Sequence, residues 1–303
     1  MPGITTPDLV AAVADAGGLG MVGATLLSAA MLEATLDQLA KRTKGAVGVN
    51  FLIPFLDPEC LAVAARRARV VEFFYGDPDA KLVERARASG ALVSWQVGSL
   101  AEAVAAERAG CSFVVVQGTE AGGHVRGESS LLPLLSQVLD VVRVPVVAAG
   151  GIATARSLAA VLACGAGAAR IGTRFIASAE SGAHPSYVKS VLAATASDTI
   201  LTEAYSGMWP DAPHRVLRSA IAAAEALPDG VVGEIRDGEQ VMPIGRFSVI
   251  PPTRTTTGHV EAMALYCGES VSNVNSIEPA AEILAELVTG AERLLESAAN
   301  LRK

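Results

Sequence analysis

Aromatic side chains make up only 4% of the 303 residues, too few for the stacking surface that single-stranded nucleic acid requires. Basic clusters are equally scarce. The net charge is −7, and the only tight basic group, Arg66, Arg67 and Arg69, reads as a solvated helix end. Nucleic acid is therefore not an expected partner. The four cysteines, Cys60, Cys111, Cys164 and Cys267, lie far apart with no CxxC spacing, so neither a zinc site nor a disulfide framework is expected. Scattered thiols suit a reducing cytoplasm. Every apolar run is cut by Gly, Pro or a charge before the ~20 residues a spanning helix needs. The first residues carry Asp8 and Asp15 and no basic segment, so no signal peptide is read. The expectation is a cytoplasmic protein with no membrane partner. There is no G-x-S-x-G elbow, no Walker motif and no H-E-x-x-H, so serine hydrolase, nucleotide triphosphatase and zinc protease chemistry lack support.

What is abundant is alanine and valine, within a hydrophobic fraction of 51%. Ala-rich helices around Val-rich buried strands produce such a composition. Thr6-Pro7-Asp8 is a helix start, with a hydroxyl at the N-cap, Pro at the first helical position and an acid in the first turn. The helix over 9–16 stops at Gly17-Gly18. Strands are then predicted at 19–22, 47–51, 70–75, 92–97, 113–117, 144–148 and 168–171, with helices between them. This is the rhythm of a parallel sheet built from βαβ units. About seven strands begin at Leu19, and no strand precedes the first helix. An α/β (β/α)8 TIM-type barrel lacking its first strand and an open doubly wound sheet both fit. After Phe175 the rhythm breaks. A strand is expected over 199–206, a helix over 213–226, an irregular stretch over 231–249, loop over 253–258, and an amphipathic helix over 276–295. The expected domains are a barrel of 1–196 plus 269–303 and a smaller α+β substrate cap of 197–268.

Chemistry is expected at the strand ends. Glu120-Ala121-Gly122-Gly123-His124 follows the apolar run 113–116. The glycine pair lets backbone approach a ligand, and a histidine follows with its proton chemistry near neutral pH. A tight turn carrying a surface histidine is the plainer reading of the same residues. Gly150-Gly151 and Gly172-Thr173 end the last two strands, where barrels place phosphate groups on backbone N–H donors. Arg170 and Arg174 lie close enough to add charge. Asn50, Gln96 and Gln117 are amides near three strand ends, suited to a planar hydrogen-bonding heterocycle. His184, His214 and His259 read as surface residues.

Taken in order, these segments resemble the nitronate monooxygenases, formerly called 2-nitropropane dioxygenases. The markers are Thr6-Pro7-Asp8-Leu9, Ala16-Gly17-Gly18-Leu19-Gly20, Gly48-Val49-Asn50-Phe51 and 117–124. They continue with Ala149-Gly150-Gly151-Ile152-Ala153, Ile171-Gly172-Thr173-Arg174-Phe175 and Tyr266-Cys267-Gly268-Glu269-Ser270. The resemblance implies FMN as cofactor, on Asn50, Gln117, Gly122, Gly150, Gly151, Arg170, Ile171, Gly172 and Thr173. It implies His124 as the catalytic residue, and Gly123, Tyr266 and Ser270 on the substrate side. The implied reaction is oxidation of alkyl nitronates, or nitroalkanes, by O2 to carbonyl compounds and nitrite. An NAD(P)H-dependent FMN reductase of quinones or enoyl thioesters is the alternative, followed by a non-catalytic phospholigand-binding barrel. A homodimer is compatible with either enzyme. Three features depart from the family pattern. Its first strand is reduced to Met1-Pro2-Gly3, Arg170 stands where Gln is usual, and Val125 separates His124 from Arg126.

Overall fold

The computed structural model describes Met1, residues 3–238 and residues 240–300. Helix α1 (Pro7–Asp15) starts where Thr6 accepts a hydrogen bond from the Leu9 N–H at 3.0 Å. Then come β1 (Leu19–Gly23), α2 (Ala29–Arg42), β2 (Ala46–Leu52), α3 (Pro58–Arg67), β3 (Val70–Phe74), α4 (Ala80–Arg87), β4 (Leu92–Val97), α5 (Leu100–Arg108) and β5 (Phe113–Gln117). A two-residue strand β6 (Gly123–His124) precedes α6 (Leu131–Val141), β7 (Val146–Ala149), α7 (Ala155–Ala163) and β8 (Ala168–Arg170). Strands β1, β2, β3, β4, β5, β7 and β8 form one parallel sheet in that spatial order. Sequence neighbours are thus sheet neighbours, and the sheet curls into a TIM-like barrel wall left open between β8 and β1. The repeated βα unit read from the sequence is what the chain builds.

The wall is held by burial on both faces. Strand β3 is buried at all five positions, and Val71, Phe73, Val93, Trp95, Val114, Val116 and Ala148 form its core with the inner faces of the helices. Valine dominates because its branched side chain packs well on a pleated sheet covered on both sides.

Beyond β8 the chain continues as α8 (Thr173–Ile176), α9 (Pro185–Ala193), β9 (Thr199–Thr202), β10 (His214–Leu217), α10 (Arg218–Glu225), β11 (Val231–Asp237), β12 (Gln240–Gly245), β13 (Thr256–Gly258) and α11 (Ala280–Asn300). Helix α11 returns to pack on α7 and α1 of the barrel. Three expectations change here. The segment predicted as a helix over 213–226 begins as strand β10 and turns helical only at Arg218, because His214 to Leu217 are claimed by pairing with β9 and β6. The stretch read as irregular over 231–249 is the β11–β12 hairpin. The loop over 253–258 contributes β13 to that hairpin's other edge. A second core, with Tyr187, Tyr205, Val216, Leu265 and Val271, joins α9 to β10 and to the segment around 265–274.

Candidate functional site

The carboxyl ends of the parallel strands open into a cavity of about 670 Å³, within the range of roughly 300–1,000 Å³ typical of small-ligand sites. Its wall includes Asn50, Gln96, Gln117, Gly122, Gly123, His124, Gly150, Gly151, Arg170, Gly172, Thr173, Tyr266 and Ser270. Residues far apart in sequence therefore meet in one place. Ile171 is the exception among the expected residues: it does not line the cavity, and its side chain packs, partly buried, against the hydrophobic core.

The loop 117–124 is fixed by its own polar atoms. The Gln117 amide donates to the His124 carbonyl at 3.0 Å. The Glu120 carboxylate accepts from the Leu131 N–H, each oxygen at 3.0 Å, and so caps α6, whose own N-cap Ser130 makes no side-chain bond. Gly122 is required by close approach. A Cβ there would lie 2.4 Å from the Gly268 nitrogen, and the Glu269 N–H donates to the Glu120 carbonyl at 2.9 Å alongside. On the other side β10 pairs His214 opposite His124, and Arg215 donates to the Thr119 carbonyl at 2.8 and 2.9 Å.

His124 is thereby placed in an aromatic enclosure. Its ring stacks on Trp209 and lies 5.8 Å from Tyr75, 5.6 Å from Tyr266 and 5.3 Å from His214, centroid to centroid. Burial, reinforced by the neighbouring His214, lowers its pKa to about 3, because a charged imidazole loses its hydration there. At neutral pH His124 is uncharged. His214, expected at the surface, is fully buried; its Nδ1 faces the Ala212 carbonyl at 2.8 Å and its Nε2 accepts from the Tyr205 N–H at 3.2 Å. His184 caps α9, and His259 is exposed beside Glu261.

Among the described residues, three buried side-chain polar atoms lack a partner: Thr25 Oγ1, Gln117 Oε1 and His124 Nε2. All three residues line this cavity. Buried polar atoms without partners are costly and uncommon, so their convergence singles out this cavity as the candidate site for a polar ligand.

The remaining wall divides into two regions. Gly150 and Gly151 turn with φ of +107° and +68°, which favours glycine. A Cβ on Gly172 or Gly123 would meet nothing within 4 Å, so both positions face open space. Thr173 Oγ1 accepts from the Gly268 N–H at 2.9 Å, which leaves its own hydrogen to donate. Nearer the barrel axis, Asn50 donates to Glu72 at 2.8 Å, and Arg170 Nη1 bonds Glu72 and, at 2.9 Å, Gln96. Arg170 thus joins a polar layer across the barrel. Arg174 is spent elsewhere, on Glu278 at 3.0 Å and the Ser276 carbonyl. Arg126 pairs with Glu102 and Asp77. Glu72, Trp209, Tyr75 and Thr25 were not legible as site residues. Glu72 sits in an otherwise apolar strand, and Trp209 in a segment without periodicity.

Comparison with known proteins agrees with this geometry. The family model described as nitronate monooxygenase matches residues 1–59 and 57–290. A probable nitronate monooxygenase of Staphylococcus aureus (strain Newman) is 31% identical over 254 residues, covering 68% of this chain and 71% of that protein. Among solved structures, FabK from Thermotoga maritima superposes with a TM-score of 0.80 at 28% identity, covering 99% of this chain and 93% of its own. The nitroalkane oxidase from Streptomyces ansochromogenes superposes with a TM-score of 0.79 at 27% identity, covering 99% and 96%. With a family match spanning most of its length and its strand-end residues gathered around one cavity, the chain belongs to the nitronate monooxygenase family of flavin-dependent oxidoreductases.

Proposed function

We propose that the chain binds FMN and oxidises alkyl nitronates with O2 to carbonyl compounds and nitrite. The observation that carries this reading is the meeting of Gln117 Oε1 and His124 Nε2, both buried and unpartnered, in a cavity whose other end is bare glycine backbone. That combination fits a flavin: amide and imidazole groups for a planar ring, and exposed N–H groups for a phosphate. Backbone at Gly150, Gly151 and Gly172 with the Thr173 hydroxyl would hold the phosphate, and Asn50, Gln117 and Gly122 the ring. When bound, FMN supplies the electron acceptor and the reaction with oxygen.

The state of His124 favours a nitronate over its parent nitroalkane. An imidazole with a pKa near 3 is a weak base, poorly matched to removing a proton from carbon. A nitronate is already an anion and needs only a hydrogen-bond donor, which a neutral imidazole supplies through one ring N–H. A bound anion would in turn raise the pKa of His124. Leu26, Phe55, Met208 and Trp209 form an apolar mouth that suits an alkyl chain and keeps water from the imidazole. We assign residues 197–268 to this substrate wall.

The purified protein mixed with FMN is expected to hold the flavin through gel filtration. Under anaerobic conditions, NADH should leave it oxidised and a nitronate should reduce it. Bleaching by NADH instead would indicate an NAD(P)H-dependent reductase. Failure to retain FMN would contradict the proposal.

A further inference from the structure

One charged pair, its carboxylate buried and its guanidinium partly exposed, has no task in this scheme. Glu72 sits in the middle of β3 at 3% exposure and accepts from Asn50 at 2.8 Å, from Ser94 at 3.5 Å and from Arg170. Arg170 reaches it from β8, 98 residues later in the chain and across the barrel interior. Taking the Glu72 carboxylate out of water is unfavourable enough that an apolar side chain often serves stability as well. The pair is therefore better explained by what it does to a ligand than by what it does for the fold.

Its orientation says what that is. Asn50, Gln96 and Arg170 line the cavity, whereas Glu72 lies behind them. The cation is presented to the ligand and the carboxylate is set back. Among the described residues, both side-chain hydrogen bonds of Arg170 use Nη1, so its Nε and Nη2 donors remain for a bound group. A neutral amide at the same position could donate a hydrogen bond but not a charge.

We propose that Arg170, held from behind by Glu72, stabilises the negative charge that the flavin ring acquires on reduction and so sets its reduction potential. This rests on the flavin reading above. On two-electron reduction the ring gains two electrons from the oxidisable substrate, or from a chemical reductant in the test, together with one proton, and is left with one net negative charge. A fixed cation in a site of low dielectric favours that form over the oxidised one. Glu72 is a positioning residue that also offsets part of the charge. Arg170→Gln removes the cation, whereas Glu72→Gln keeps a side-chain acceptor for Arg170 and removes only the offsetting charge. The two substitutions therefore shift the potential in opposite directions, an outcome that general disruption of the site does not produce.

The test is a reductive titration of the flavin-bound protein against reference dyes, with oxidised-FMN affinity measured in parallel. Arg170→Gln is expected to lower the potential by at least a tenfold loss in preference for the reduced form, about 30 mV for a two-electron couple. Glu72→Gln is expected to raise it. Arg170→Lys, which keeps the charge, should stay nearer the wild type and serves if Arg170→Gln does not fold. Shifts of the same sign, or no shift in either variant, would overturn the proposal. So would an Arg170→Gln variant that loses oxidised and reduced flavin equally, since Arg170 would then be only an anchor. Wild-type protein that retains no flavin would overturn this inference together with the function proposed above.

Discussion

The imidazole of His124 lies face to face with the indole of Trp209, ring centroids 4.0 Å apart and planes inclined by 23°. Phe55 and Tyr75 pack edge-on against the same indole. The backbone carrying Trp209 has positive φ at Met208 and Asp211, both non-glycine residues. Such conformations persist where surrounding contacts impose them. The stack is thus a built feature of the site, and it removes one face of the histidine from water.

Trp209→Ala should move the His124 titration up from about 3 toward the ordinary histidine range, because burial is the main cause of its depression. NMR of ring-labelled histidine across pH measures this directly. Trp209→Phe, which keeps an aromatic cover, should move it less. A titration unchanged in both variants would show that Trp209 does not desolvate the imidazole.

Stability should fall on mild acidification. The folded-state pKa of His124 lies below the unfolded value, so the unfolded chain takes up a proton that the folded chain refuses. The stabilisation is whole above the unfolded pKa of ~6.5 and is lost as pH falls toward 3, by up to about 1.4 kcal/mol per pH unit. His214 acts in the same direction, since burial outweighs the opposing Ala212 carbonyl and Glu203. Calorimetry between pH 7 and 4 should show a steeper decline in Tm for the wild type than for His124→Asn; parallel curves would refute the assignment.

Two glycines of the site should respond differently to substitution. Gly172→Val fills open cavity and leaves existing contacts alone, so FMN affinity should drop at least about tenfold, or 1.4 kcal/mol, with little change in Tm. Gly122→Ala places its methyl 2.4 Å from the Gly268 nitrogen and should destabilise the fold by roughly 1–3 kcal/mol. Flavin titration and thermal melts on both variants separate loss of ligand space at Gly172 from loss of packing at Gly122.

Glu120 caps α6 from eleven residues away. Glu120→Ala should cost about 0.5–2 kcal/mol, the usual worth of an N-cap, measured by urea unfolding. A variant as stable as the wild type would mean that water replaces the carboxylate at the helix end.

Much of this was legible in the chain itself. Thr6-Pro7-Asp8 announced α1, the period of strand and helix announced the parallel sheet, and the strand-end residues from Asn50 to Thr173, Ile171 apart, do share one cavity. What was not legible depends on partners distant in sequence. His214 to Leu217 has a helix-compatible pattern, and only pairing with β9 and β6 makes it a strand. Glu72 looks like a stray charge in Val70-Val71-Glu72-Phe73-Phe74 until Asn50 and Arg170 are seen to converge on it. Trp209 acquires a role only because the loop before β10 folds back over His124.

The most direct test of the central claim is oxygen uptake on adding an alkyl nitronate to the FMN-bound protein, comparing wild type with His124→Asn at equal flavin content. The account predicts nitronate-dependent uptake with nitrite release in the wild type. In the variant it predicts a loss of roughly 10²-fold or more, the scale of a positioned proton donor or acceptor, with the visible flavin spectrum retained. Equal uptake by the two proteins would contradict it.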